Sequence, residues 1–342
     1  MKNLRSVEEI SAGMNVIVRM DTDLPIDNGV ILDNSRLMKS IPTIRWLLEK
    51  NCRLMILGHR GRPEGVNENL SLKGVYLELM NLLENDQNTI ESIFIDDIQD
   101  DEKIAGALVN NQIIFGENLR FWSEEEKGET SMFEVIKKRF SVLVNDAFAV
   151  AHRRNASVIL HREVETYYGF SFIEEAEKIN EILEKKQQPI TVILGGAKED
   201  KLNYLPELEE IADHILIGGK LPKLDIRQQM SNENNKILWA GLREDGLDLS
   251  KKDVAEFGEI IKQSKTIVWA GAMGMYEAED SREGTNEIAK MVAETDGYKI
   301  IAGGDTGASI KNLGLKNKID FICSGGGVML EMLTKGDLPA WN

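Results

Sequence analysis

The residues best suited to chemistry lie just past short apolar runs. Leu54–Leu57 is such a run, broken by Gly58 and followed by His59, Arg60, Gly61, Arg62 and Pro63. Glycine lets a backbone approach a ligand, and arginine offers a forked donor matched to phosphate or carboxylate. A lone basic loop reads equally well as solvated surface, but this one is repeated. Gln112–Phe115 leads to Gly116, Glu117, Asn118, Leu119 and Arg120, and Val142–Val144 leads to Asn145, Asp146 and then His152, Arg153 and Arg154. Arg36 falls in the first turn of a helix expected over Ser35–Lys50, where the helix dipole disfavours a cation, so an anionic partner is expected. Val16–Met20 ends in Asp21, Thr22 and Asp23, whose carboxylates could bind a metal, orient a hydroxyl or cap a turn. His59, Arg36, Arg62, Arg120 and Arg153 together suit a small, multiply charged anion such as a phosphorylated carboxylic acid.

The second half of the chain carries glycine-rich strand ends instead. Ile190–Leu194 runs into Gly195, Gly196, Ala197 and Lys198, which sets a backbone and a point charge against phosphates without forming a GxxxxGK[ST] loop. Ile300–Ala302 ends in Gly303, Gly304, Asp305 and Thr306, with a helix expected from about Ala308 and Asp305 placed to hold a magnesium ion. Ile319–Cys323 ends in Ser324 and Gly325, Gly326 and Gly327 before another helix, a second anion nest.

These loops need strands and helices in alternation. Helices are expected over Leu70–Leu83, Phe133–Phe140 and Tyr167–Lys186, the last preceded by an aromatic turn, and a further strand over His214–Ile217 before Gly218, Gly219 and Lys220. The four residues Glu124–Lys127 read as a solvated charge cluster. Repeated strand–helix order predicts parallel sheets with their loops converging at one end. The fold class expected is α/β with parallel sheets; the family resemblance given below implies two Rossmann-like three-layer α/β/α domains with parallel sheets joined by a hinge helix.

A chain of 342 residues with net charge −16 argues against a nucleic-acid surface, so clustered arginines must be a local device. Cys52 and Cys323 each lie in an apolar run and read as buried free thiols, suited to a reducing compartment. MKNLRSVEEI has no hydrophobic core segment and no apolar stretch approaches membrane length, so a cytoplasmic protein without a membrane anchor is expected.

RMDTDLP, Arg36, GHRGRP, ENLRF, NDAFAVAHRRNAS, GGAKEDK, TIVWAGAMGMYE, GGDT and SGGG, in this order, resemble the phosphoglycerate kinase family. The resemblance runs from about Val16 to Pro339. It implies a phosphoglycerate-binding domain over 1–166, an interdomain hinge helix over 167–188, a nucleotide-binding domain over 189–325, and a segment over 326–342 returning towards the first domain. It assigns Asp21, Asp23, Arg36, His59, Arg62, Arg120 and Arg153 to the acid. Gly196, Ala197, Lys198, Lys201, Gly219, Gly246, Glu277, Gly304, Asp305 and Thr306 fall to the nucleotide, with Glu277 on the ribose and Asp305 on Mg²⁺. Arg36, Lys198, Gly326 and Gly327 fall to the phosphoryl group in transfer.

The implied activity is reversible phosphoryl transfer between 1,3-bisphosphoglycerate and MgADP, giving 3-phosphoglycerate and MgATP, in a monomer that closes about its hinge. Departures from the family pattern are local. Asp23 stands for an asparagine, Ala149 and Val150 for Gly-Thr, and Asn155 for a histidine. Ala270 stands for an asparagine and Ala272 for a proline. GGAKEDK is one residue short between its lysines, and the region from Leu221 to Asn235 is trimmed. These departures raise an alternative, a trimmed paralogue that binds phosphoglycerate or nucleotide without turnover.

Overall fold

The computed structural model describes residues 3–84, 90–224 and 236–342. The chain divides into two compact units, Met1–Ala176 with Leu338–Asn342, and Glu177–Asp337. In the first unit, β1 (Asn15–Met20) leads to a hairpin of β2 (Ile26–Asp27) and β3 (Val30–Ile31), then α1 (Ser35–Glu49), β4 (Arg53–Leu57) and α2 (Lys73–Leu83). Next come β5 (Ser92–Ile95), α3 (Asp101–Asn110), β6 (Ile113–Gly116), α4 (Ser123–Lys127), α5 (Glu134–Lys137), β7 (Val142–Asp146), α6 (Ala156–Ile159) and β8 (Glu165–Tyr168). Six strands form one sheet in the order β5-β6-β4-β1-β7-β8, every neighbouring pair parallel.

The first sheet is covered on both faces, which is why its strands read as nearly unbroken apolar runs. Val16, Val18 and Met20 of β1 pack with Leu37, Ile44 and Leu47 of α1 and Val75 and Leu79 of α2. Ile17 faces the other way, into Met55, Ile114 and Leu143 with Ile104 of α3 and Ile136 of α5. Arg19 lies two residues after Ile17 and is 2% exposed, a charge inside that second face.

From the first unit, α7 (Phe170–Lys185) runs into the second. There follow β9 (Ile190–Leu194), α8 (Leu205–Ile211), β10 (His214–Ile217), β11 (Ile237–Trp239), α9 (Lys251–Gln263) and β12 (Thr266–Ala270). The unit is completed by α10 (Glu283–Glu294), β13 (Tyr298–Ala302), α11 (Gly304–Asn312), β14 (Phe321–Cys323) and α12 (Gly326–Lys335). The strand order is β11-β10-β9-β12-β13-β14, again parallel throughout. The order in which strands are added reverses between β9 and β12, the place where open α/β sheets leave a crevice at their carboxyl ends.

Several local expectations are corrected. Tyr167 and Tyr168 are not a turn before a helix but the end of strand β8, buried beside β7, and the helix starts at Phe170. Aromatic residues suit a pleated, half-buried position, which outweighs the helical pattern downstream. The segment expected as one helix over Leu70–Leu83 is a short 3-10 turn, Glu68–Leu70, and then α2. Phe133–Phe140 is likewise a 3-10 turn, Thr130–Phe133, followed by the single turn of α5. The last helix of the chain, α12, lies in the second unit, while Leu338–Asn342 belongs to the first. That tail is fixed by Ala340 N donating to Ala151 O at 3.1 Å and by the Tyr168 hydroxyl donating to Ala340 O at 3.0 Å. Of the expected trimmed region, residues 225–235 lie outside the described residues.

Candidate active site

In the first unit the cationic residues gather where β1, β4, β6 and β7 end. Asp21, just past β1, receives Arg36 Nη1 on both carboxylate oxygens, at 3.0 and 2.9 Å. The Asp21 charge pushes the Arg36 pKa further up, so the cation in the first turn of α1 has its anionic partner within the chain. Asp21 also caps a turn, accepting from Asp23 N at 3.2 Å. Asp23 Oδ1 in turn accepts from Gly61 N at 2.9 Å.

The loop after β4 is fastened from both sides. Thr22 Oγ1 donates to His59 O at 2.8 Å. A Cβ on Gly58 would collide with that threonine side chain, so only glycine allows the approach. Asn118, fully buried, donates through Nδ2 to Arg60 O at 2.8 Å and to Leu70 O at 2.9 Å, and accepts from Arg60 N at 3.2 Å. Glu117 holds Asn118 N at 2.7 Å and Leu72 N at 2.7 Å. Buried polar side chains satisfied this fully set a loop rigidly.

His59 is 4% exposed, and its Nδ1 lies 3.0 Å from Arg19 Nη2. Burial, then the charges of Arg19, Arg120, Arg153 and Arg36, hold its pKa well below the ordinary value. Arg120 donates to Gly61 O and lies 3.6 Å from Glu126, with burial lowering its pKa. Arg153 is half-buried and acts electrostatically on both His59 and Arg120. Arg62 is exposed and pairs with no carboxylate among the described residues. The structure thus brings Asp21, Asp23, Arg36, His59, Arg120 and Arg153 together and leaves Arg62 in solvent.

Two residues of this region escape a reading of motifs. Arg19 is part of RMDTDLP but looks like one more strand residue. Glu125 corrects the expectation of a solvated cluster over Glu124–Lys127: it is 1% exposed, accepting from Ser157 N at 2.9 Å and Ser157 Oγ at 2.6 Å. The signal that could have marked Arg19 is a charge inside a run otherwise wholly apolar, which demands buried partners.

In the second unit the glycine loops interlock. Gly195 N donates to Ala270 O at 3.0 Å and Gly196 N to Ala272 O at 2.6 Å. Gly219 has φ 65°, and a Cβ there would sit 2.5 Å from Gly196 N and O, so the β9 and β10 loops touch backbone to backbone. Ala197 and Lys198 follow, and the 3-10 turn Glu199–Tyr204 folds Lys201 back over them. Lys201 Nζ donates to Gly195 O at 2.7 Å and Ala270 O at 2.9 Å. Burial and then the Lys198 charge lower its pKa to about 8.

Helix α11 starts at Gly304, not near Ala308, so Asp305 and Thr306 are in its first turn. Burial, then Glu277, raise the Asp305 pKa, and the Lys201 charge opposes them. Thr306 Oγ1 is buried with no hydrogen-bond partner. Gly326 and Gly327 open α12, and a Cβ on Gly326 would stand 3.6 Å from Ala270 Cβ. The first amides of both helices are without helical acceptors and carry the positive end of the dipole. Gly246 takes φ 65° in a turn closed by its N–H on Arg243 O at 2.8 Å. Among the described residues no three His, Cys, Asp or Glu side chains form a metal cluster. Asp305 with Glu277 nearby, beside an unpartnered threonine hydroxyl, does fit Mg²⁺, which takes one or two carboxylates and leaves other positions to phosphate and water.

Comparison with known proteins accounts for both halves. The family model described as phosphoglycerate kinase matches residues 7–232 and 222–336. A phosphoglycerate kinase of Clostridioides difficile is 31% identical over 395 residues, covering 99% of this chain and 98% of its own. One of Dictyoglomus turgidum is 30% identical over 381 residues, covering 97% and 96%. The crystal structure of phosphoglycerate kinase from Pyrococcus horikoshii superposes with TM-score 0.82 at 25% identity, covering 99% of this chain and 98% of that one. The structure of the Coxiella burnetii enzyme gives 0.72 at 26%, with the same coverage. With matches that span both units and nearly the full length of each relative, the chain belongs to the phosphoglycerate kinase family, a family of phosphotransferases.

Proposed function

We propose that the chain transfers a phosphoryl group reversibly between 1,3-bisphosphoglycerate and ADP, giving 3-phosphoglycerate and ATP. In the forward direction the acyl phosphate P–O bond breaks, leaving a carboxylate, and a new P–O bond forms to the terminal ADP oxygen. The observation that carries this reading is the division of labour at strand ends: a histidine and arginine cluster past β1, β4, β6 and β7, and glycine loops past β9, β12, β13 and β14, with Lys198 and Lys201 after β9.

Such a transfer needs in-line positioning and compensation of charge, with little covalent work by the protein. His59, Arg62, Arg120 and Arg153 hold the acid, Asp21 and Asp23 order its hydroxyl end, and Asp21 holds Arg36 ready. Arg36, Lys198 and the amides of Gly326 and Gly327 compensate the moving phosphoryl. Gly196, Ala197, Lys201, Gly219, Gly246, Glu277, Gly304 and Thr306 line the nucleotide. Asp305 is the residue we assign to Mg²⁺, which when bound neutralises charge on the nucleotide phosphates. Helix α7, continuous between the two units, is the hinge we assign to the closure that unites acid and nucleotide and expels water.

The cytoplasm is the proposed compartment and a monomer the proposed working form. Both cysteines are buried free thiols, which suits reducing surroundings, and no described helix is long and apolar enough to cross a membrane. The reading as a binding protein without turnover has no support, since the relatives named above are all kinases. A coupled assay with MgATP and 3-phosphoglycerate tests the proposal. Turnover lost in Arg36→Ala and Lys198→Ala is the expected outcome. Turnover untouched by either substitution, or absent in the unaltered chain, overturns it.

A further inference from the structure

We propose that Arg19 is a positioning residue for the acid site: it fixes His59 as the neutral tautomer protonated on Nε2, so that the ring meets the acid as a hydrogen-bond donor. The inference rests on the acid-binding reading of this pocket. Its starting point is the approach of Arg19 Nη2 to within 3.0 Å of His59 Nδ1. A guanidinium has N–H donors only and keeps its proton at any pH the protein meets. The nitrogen facing it must therefore be the acceptor, which leaves the ring's one proton on Nε2. Which nitrogen carries the proton follows here from the chemistry of the partner.

Arg19 is itself immobilised. Nε donates to Ser157 Oγ at 2.9 Å and Nη1 to Met20 O at 2.5 Å. Ser157 is held by both oxygens of Glu125, at 2.9 and 2.6 Å. The buried guanidinium is compensated by Glu125, Asp21 and Asp23. A charge this deeply placed persists because each of its three nitrogens has a partner and its counter-charges are fixed. A run of buried partners thus leads from α4, through α6 and β1, to the ring that faces the acid.

The charges that act most strongly on His59 are all positive, while Asp21 and Asp23, just past β1, act on Arg19 and Arg36 beside it. Arg19 comes from β1, Arg36 from α1, Arg120 from the turn after β6 and Arg153 from the loop after β7. Adding a proton to the ring would place a fifth cation among four and break the contact with Arg19. His59 in this setting is a neutral donor across the physiological range, and the arginines alone supply positive charge. The acid site then keeps one charge state over pH values at which an ordinary histidine would titrate.

Nitrogen-15 spectra of the full-length chain labelled at histidine test this without any assay of activity. The chain has four histidines, and the His59 signals are those missing from His59→Gln. The expected result is an unprotonated Nδ1 and a protonated Nε2, unchanged between pH 5.5 and 8. A protonated Nδ1, or a titration within that window, overturns the proposal. Arg19→Met then removes the donor, and Arg19→Lys restores a cationic one.

In Arg19→Met the ring loses one of the charges that lower its pKa, so the pKa is expected to rise, while burial and Arg120, Arg153 and Arg36 still hold it below the ordinary value. The KM for 3-phosphoglycerate should rise about tenfold at pH 8, the scale of one hydrogen bond to a charged group, and recover partly as pH falls and the ring takes up a proton. KM for ATP should stay unchanged and Arg19→Lys should regain most of the loss. Equal losses in both KM values, or no pH dependence, would point to a purely structural arginine. If Arg19→Met fails to fold, Ser157→Ala loosens the same guanidinium and should bring the second tautomer into the spectrum; a spectrum unchanged in a folded Ser157→Ala protein counts against the proposal. Calorimetry with 3-phosphoglycerate separates the two levels. A fixed Nε2 proton without binding refutes the reading of the pocket, whereas binding to a titrating ring refutes the role of Arg19.

Discussion

Asp146 offers a prediction whose size follows from the structure. Its carboxylate ends β7 and holds the start of α7, accepting from Ser171 Oγ at 2.9 Å and Phe172 N at 3.1 Å. It is 2% exposed, and burial raises its pKa from the ordinary 3.8 to about 6, against the pull of these donors and of Thr43 and Ser40 on α1. Because the folded pKa lies above the unfolded one, the contribution of Asp146 to stability is fully present below about pH 3.8 and is lost as pH rises through about 6. A shift of about two units corresponds to roughly 3 kcal/mol.

Asp146→Asn keeps the acceptor and removes the titration. Unfolding in urea from pH 4 to 8, read by tryptophan fluorescence, should show the two proteins nearly equal at pH 4. By pH 7–8 the variant should be the more stable, by up to roughly 3 kcal/mol, or about 1 M in midpoint. A difference that stays flat across this range, or a variant less stable at pH 8, refutes the reasoning; the carboxylate would then be held as an anion by its donors and the dipole of α7.

Asp23→Asn removes a negative charge that faces Arg60 and Arg120 while keeping an acceptor for Gly61 N; KM for 3-phosphoglycerate should fall about fivefold with kcat unchanged, on the scale of about 1 kcal/mol for a partly exposed charge. Lys201→Met strips the donor from Gly195 O and Ala270 O, and KM for ATP should rise at least about tenfold while KM for the acid holds in steady-state kinetics. Glu125→Gln weakens the anchor of Ser157 and the counter-charge of Arg19, and should lower unfolding stability by about 2 kcal/mol in urea titration.

Much of the fold is legible in the sequence because both sheets are parallel and their strands buried, so most strands are apolar runs that break off sharply, at glycine after β4, β9 and β13 and at Asp21 after β1. The loops that follow β1, β4, β9 and β13 can be located for that reason alone. What stays hidden is non-local. Arg19 and Ser157 meet across 138 residues of chain, and no local pattern pairs them. Of the charges on α4, a five-residue helix, Glu125 turns inward, and a helix that short has no readable periodicity. The start of α11 is missed because Gly303 and Gly304 look like loop, whereas Gly303 at φ 112° makes the turn and Gly304 already opens the helix. Lys201 looks misplaced when counted along GGAKEDK, yet a 3-10 turn returns its ammonium to the strand end it left.

Phosphorus-31 spectroscopy of the purified chain with MgATP and 3-phosphoglycerate bears most directly on the central claim. Resonances of ADP and of a new acyl phosphate should appear together, only when both substrates are present, and should vanish with Arg36→Ala. Inorganic phosphate released from ATP regardless of the acid, or two bound ligands whose phosphorus signals never exchange, would contradict it.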